Sequence, residues 1–221
     1  ILVSPNITAA GEVLVKAGGS GSDITIDGSI TSSGGNISLD ANDQVIFNDT
    51  NADISTTTTA KTIDIKAGGD ITRTAGADIS TTNGHVRMES GGNLTVESIS
   101  AGTGNVYLKA TTDILDGDAG VDVTAGGLIL EAGSGIASGA DRLETTVTNL
   151  STTADADGTF VADSSAITVG SITVTVNRVG TDAATAATAK TQEDLTTTNG
   201  GAITISATDI TIGGGASGGG L

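Results

Sequence analysis

Asp116, Asp118 and Asp122, in the run Asp-Gly-Asp-Ala-Gly-Val-Asp, form the densest acidic cluster of the chain. Carboxylates at this spacing could gather oxygen donors for a calcium ion or work as a pair in acid–base chemistry. Aspartate is also favoured at turns, where its side chain bonds nearby backbone, so solvated turn aspartates are the competing reading. The solvated reading is preferred and no cofactor is expected, with calcium on these three aspartates as the alternative.

Two shorter stretches point weakly toward the same ion. Gly18-Gly-Ser-Gly-Ser-Asp23-Ile-Thr resembles a calcium-binding glycine nonapeptide, but its apolar residue falls one place early and no tandem copy follows. Asp155-Ala-Asp157-Gly158 has part of a calcium loop and lacks the glutamate that would close it. Other reactive groups are scarce. The chain has one histidine, His85, no cysteine and no Gly-x-Ser-x-Gly elbow. His85 precedes a strand and reads as a solvated turn residue.

These residues must be positioned by a repeat. The phrase Gly-x-Φ-x-Φ-x-(Ala/Ser), with Φ apolar, occurs at Gly11–Ala17, Gly35–Ala41, Gly84–Ser90, Gly104–Ala110, Gly126–Ala132 and Gly201–Ala207, and with lysine first at Lys61–Ala67. An apolar pair separated by one residue is a short strand with one buried face. A second strand is expected at Val45, Ile71, Leu94, Ile114 and Ile136, each eight residues after the first apolar residue of its repeat, and a third at Ile30, Ile54, Ile79, Ile99 and Val121. Units this short cannot bury an apolar face alone, so they must stack. The expectation is an all-β fold, a single-stranded right-handed parallel β-helix (β-solenoid) with about three short strands per coil. Right-handedness follows from the hand of parallel crossovers.

Composition agrees. Glycine stands at 33 of 221 positions, which suits tight corners, and the single proline, Pro5, leaves the ladders uninterrupted. Aromatic residues are limited to Phe47, Tyr107 and Phe160, so the core must be narrow and filled by branched aliphatic side chains.

One solenoid domain is expected, in four parts. Residues 1–142 hold regular coils; 143–176 hold coils of stretched register, with Phe160 and Ala162 on one face and Ile167, Val169, Ile172, Val174 and Val176 on another. Residues 177–199 read as a loop leaving the rod, with a helical turn near Ala183 to Lys190. Residues 200–221 form a final coil and a glycine-rich end. The ends resemble no cap, so a longer parent or end-to-end stacking is expected.

Residues at one place in successive coils lie above one another. The outward position after the second apolar residue reads Lys16, Asp40, Lys66, Glu89, Lys109, Glu131, then Ser206, alternating in sign over six coils. This charge ladder fixes coil register. The neighbouring outward column reads Leu14, Ser38, Asp64, Arg87, Tyr107, Ile129, Thr204, and offers Tyr107 and Ile129 as a small exposed apolar patch. Loops on rigid scaffolds concentrate binding residues, which makes Arg178, Asp182, Lys190, Glu193 and Asp194 the candidates for contact with a glycan or protein.

The net charge of −17 repels nucleic acid and anionic membrane, and no stretch approaches the ~20 apolar residues of a membrane helix. Lack of cysteine fits a reducing compartment or an exported chain.

Gly104-Asn-Val-Tyr-Leu-Lys-Ala110, Ala67-Gly-Gly-Asp-Ile-Thr72 and Leu143-Glu-Thr-Thr-Val-Thr-Asn-Leu150 resemble the repeat regions of large bacterial exoproteins, the filamentous-haemagglutinin-like secreted adhesins and giant surface proteins. The resemblance covers nearly the whole chain and is one of repeat style. It implies a right-handed β-helical shaft, secreted and displayed at the bacterial cell surface or shed from it, that extends and supports while other segments attach. No catalytic or ligand residue of that family maps onto this sequence. The expected function is therefore a structural stalk or filament segment, not an enzyme, whose partners are other segments or copies of the same protein. A binding module built on the 177–199 loop, facing a host-cell, neighbouring-cell or glycan surface, is the first alternative. A carbohydrate-active β-helical enzyme is the second, although paired acids are here without the aromatic platforms that sugar rings favour.

Overall fold

The computed structural model describes residues 1–213, all of them in strands, turns or extended segments. The glycine-rich end expected at 214–221 lies outside the described residues.

Parallel strands stack into a β-solenoid. The first-strand column runs through Val13–Ala17, Ile37–Ala41, Ile63–Ala67, Val86–Ser90 and Asn105–Ala110, then through the later halves of Val123–Ala132 and Leu143–Ala154. Its inward residues fall in strict register, with Val13, Ile37, Ile63, Val86, Val106, Leu128 and Leu150 each facing the next. The second column contains Ile24–Ile26, Val45–Phe47, Ile71–Arg73, Leu94–Val96, Ile114–Asp116 and Gly135–Ile136. The third contains Ile7–Ala9, Ile30–Ser32, Ile54–Thr56, Ile79–Thr81 and Ile99–Ser100.

The inward side chains of the three columns form one apolar core, with most of its isoleucines, valines and leucines at 0% exposure. The leading glycine of the repeat phrase is explained by the corner it turns. A Cβ on Gly84 would collide with the Lys61 carbonyl oxygen in the layer beneath, and one on Gly104 with that of Gly84. Backbone sits on backbone there, and a side chain has no room.

Three expectations about register are corrected. Val123, and not Val121, faces Ile99 in the third column, because the corner 117–122 is long and carries Val121 out to solvent. In the strand Gly158–Asp163 the buried side chains are those of Thr159, Val161 and Asp163, so Phe160 and Ala162 point outward. The last copy of the phrase, Ile203–Ser206, stacks on Gly158–Asp163, which itself continues the second column over Gly135–Ile136, so Ser206 and Thr204 do not extend the outward columns of the first strand.

The largest correction concerns 172–199. Ile172–Val179 and Thr185–Gln192 form an antiparallel hairpin, with neither a helical turn nor a loop leaving the rod. Its point of insertion is sharply defined. Val169 faces Leu150 and Leu195 faces Thr152 on the same strand, so the whole segment 170–194 enters opposite the single residue Ser151. The hairpin then folds back along the outer face of the first-strand column.

Candidate functional site

Among the described residues, two places bring charged side chains together: the face under the hairpin, and a corner between the second and third columns.

On the covered face, Ile172, Val174 and Val176 bury against Tyr107 and Ile129 as a second, separate apolar cluster. The apolar pair expected at the surface is thus 3% and 0% exposed. The strand Ile172–Val179 crosses the layers. The Asn105 side-chain amide donates to the Thr173 carbonyl at 2.8 Å, and the Asn177 amide donates to Thr62 Oγ1 at 2.9 Å. Farther along, the Val179 amide donates to Ser38 Oγ at 2.9 Å. From the layer of Ile129 to that of Ser38 is four steps of ~4.8 Å, about 19 Å, which a strand of this length spans at ~3.3 Å per residue.

Electrostatics lock the hairpin down. Arg87 holds Asp64 through two bonds, Nε to Oδ1 at 2.8 Å and Nη2 to Oδ2 at 2.9 Å, and Arg178 adds a third to Oδ2 at 2.6 Å. Asp64 is fully buried. Arg178 also reaches Asp40 at 3.1 Å, which Lys16 meets at 2.6 Å. Burial opposes the charge on Asp40, but its bonds and attraction to Lys16 and Arg178 outweigh this and hold the carboxyl below its ordinary range. Lys109 and Lys190 converge on Glu131 at 2.6 and 2.5 Å. Burial again works against the anion, and the two lysines prevail, taking Glu131 down to about 2. Tyr107 donates its hydroxyl to Glu131 at 3.0 Å, and burial followed by that carboxylate pushes its phenol above the ordinary value.

The charge ladder stands in the expected register, Lys16 facing Asp40 facing Lys66 facing Glu89 facing Lys109 facing Glu131. Two of its steps close as ion pairs, Lys16–Asp40 and Lys109–Glu131, and those same acids take the hairpin's cations. Two of the five contact candidates therefore turn toward the rod. Arg178 and Lys190 are bound to the rod. Asp182 caps the hairpin turn by accepting the Ala184 amide at 3.1 Å, and Asp194 supplies its carbonyl to Ser151 and Thr152. Glu193 is partly exposed. His85 is half-buried and its Nδ1 accepts the Asn105 amide at 2.9 Å, so it serves the ladder, and burial lowers its basicity.

The acidic corner is where the second column breaks its apolar pattern. Its last inward position reads Val3, Ile26, Phe47, Arg73, Val96 and Asp116 along the stack. Arg73 is buried over the Phe47 ring at 5.3 Å and donates to the carbonyls of Ala77 and Ser98, and burial pulls it down to about 10. One layer on, the corner is only Glu97 and Ser98; above it lies the long turn 117–122. Asp116, Asp118 and Asp122 offer oxygens that all lie within 4.8 Å of one another. Glu97, which the sequence reading passed over, is 1% exposed beneath this turn. Burial, then the charge of Asp118, raises Glu97 to about 7. Burial, then Asp116, raises Asp122 to about 8, and burial, then Asp141 and Glu144 after an opposing backbone bond, raises Asp116 to about 6. Asp118 is exposed and Asp116 intermediate, while Asp122 is fully buried, so the solvated-turn reading fails for Asp122.

The chain matches no protein-family model, no curated protein and no solved structure.

Proposed function

We propose that this chain is a structural segment, a stalk or fibre component, of a bacterial extracellular adhesin or surface filament. The observation that carries the reading is the continuous first-strand ladder, seven layers in strict register over an unbroken apolar core. Side chains of such a stack are spent on layer-to-layer contacts, and so is part of the outer face, where the hairpin's Arg178 and Lys190 bind rod acids. A surface of net charge −17 opposes lateral clumping of parallel rods. The repeat style shared with filamentous-haemagglutinin-like exoproteins supports a secreted location, with other segments or copies of the protein as partners.

Cryo-electron microscopy of the purified material tests this. Long filaments with an axial repeat near 4.8 Å are the expected result. Discrete short rods that carry a glycan or protein on the hairpin face would replace the stalk by a binding module.

A further inference from the structure

The acidic corner holds more than a collection of acids, because several of its buried oxygens have nothing to bond. Asp116 Oδ1 accepts the Asp118 amide, and Asp122 Oδ2 accepts the Glu144 amide. The second oxygen of each, Asp116 Oδ2 and Asp122 Oδ1, is buried without a partner, as are Glu97 Oε2 and Glu144 Oε2. Glu97 comes from the layer below the aspartates and is itself 99% shielded from solvent, being 1% exposed. Its carboxylate points into the turn, since a Cβ on Gly117 would collide with Glu97 Oε1. Only glycine lets the turn close over that group. Arg73, the buried cation on the interior side, bonds two backbone carbonyls through Nη2 and offsets the carboxylates only through space, with no hydrogen bond to any of them.

Unpaired, desolvated carboxylates at this density repel one another, and burial of such groups requires a proton, a partner or a metal. We infer that this corner is a calcium site, with Glu97, Asp116, Asp118, Asp122 and Glu144 as the ligand set. The donor chemistry selects the ion: every side chain offers a hard oxygen, with no thiolate or imidazole to favour zinc or copper. Size agrees, because oxygens around calcium lie at 2.3–2.6 Å, so opposite ligands stand up to ~5 Å apart, and the three aspartates fall within 4.8 Å of one another. Carboxylates contributed by three successive layers suit the flexible six-to-eight-fold sphere of calcium better than the strict octahedron of magnesium. The ion ties the layer of Glu97 to that of the 117–122 turn and to that of Glu144, a clamp across three coils. This holds whether the rod serves as a stalk or otherwise.

The test uses the full chain, stripped with EDTA and titrated with calcium chloride by calorimetry, with thermal melts in EDTA and in calcium. One calcium per chain, with a dissociation constant of about 10⁻³ M or tighter, and a higher melting temperature in calcium are expected. Glu97→Gln and the exposed Asp118→Asn should each weaken binding about tenfold or more. Both should melt at or above the wild-type temperature in EDTA, where removing a charge relieves repulsion. That opposite pair of signs separates a metal site from a corner that is simply fragile. Absence of binding at calcium tenfold above that constant, or a calcium shift that both variants retain in full, would overturn the assignment.

Discussion

Replacing the segment 170–194 by one serine should leave the solenoid standing. Val169 and Leu195 face Leu150 and Thr152, which are separated by Ser151 alone, so a single residue restores a regular strand spanning two steps, about 6.6 Å. The excised residues take their own ordering cost with them. What the rod loses is the cover over Tyr107 and Ile129, now 3% and 0% exposed, and the ion pairs of Arg178 with Asp64 and Asp40 and of Lys190 with Glu131. At about 1.5–3 kcal/mol for each buried side chain the apolar part of this loss is about 3–6 kcal/mol. For a domain of this size that apolar part corresponds to a fall of about 6–24 °C in melting temperature. The assays are far-UV circular dichroism, a thermal melt and binding of a dye that reports apolar surface. The strand signal per residue and the cooperative melt should persist, dye binding should rise, and Ile129→Thr in the shortened chain should reduce it. Loss of the cooperative transition would show that the hairpin is part of the folding unit and refute the reading of it as an insertion.

Asp64→Asn should cost about 3–5 kcal/mol in urea denaturation, because Arg87 and Arg178 would be left sharing a neutral group where Asp64 is now fully buried. Glu131 is held at about 2 in the fold against an ordinary 4.5, so its contribution is present in full above about pH 4.5 and is lost as pH falls toward 2. The shift corresponds to about 3 kcal/mol, reduced to about 1–2 because Lys109 and Lys190 are 39% and 34% exposed; acid unfolding curves of wild type and Glu131→Gln should differ above pH 4.5 and merge near pH 2. Gly104→Ala should destabilise by about 1–3 kcal/mol or more, because its Cβ would strike the Gly84 backbone, whereas Gly11→Ala, with open space around it, should be near neutral in the same melt.

The period-two phrase and its fixed eight-residue offset made the first two columns readable, since only inward apolar residues recur at that spacing. The charge ladder was readable for the same reason, as each coil places the residue after its second apolar position at the same outward point. Val121 and Val123 have the same parity, so alternation alone could not choose between them; the buried Asp122 and the length of its corner decide. Phe160 and Val161 show the reverse problem, a one-residue slip that exchanges the two faces of a strand. Ile172, Val174 and Val176 alternate as a rod strand would, and the signal that set them apart was length, eight residues where rod strands mostly run to three or five, together with an apolar Tyr107 and Ile129 on an outward column that needed covering. In the acidic corner, Arg73 and Asp116 stood two residues after Ile71 and Ile114, where other coils place Ile26, Phe47 and Val96. A charge in that slot was legible as an interior charge. Glu97 was not, because its burial depends on the turn of the next layer.

The hairpin also changes how the rod would carry a load. Ladder hydrogen bonds point along the axis, so tension on a bare solenoid opens one layer at a time, each yielding before the next is stressed. The strand Ile172–Val179 lies along the axis, fastened near Ile129 at one end and at Asp64 and Ser38 toward the other. Between those anchors a pull passes through covalent backbone, and the layers can part only if the strand shears off all its fastenings together. A single inserted hairpin thus turns a stack that peels into a spliced beam over the length it covers.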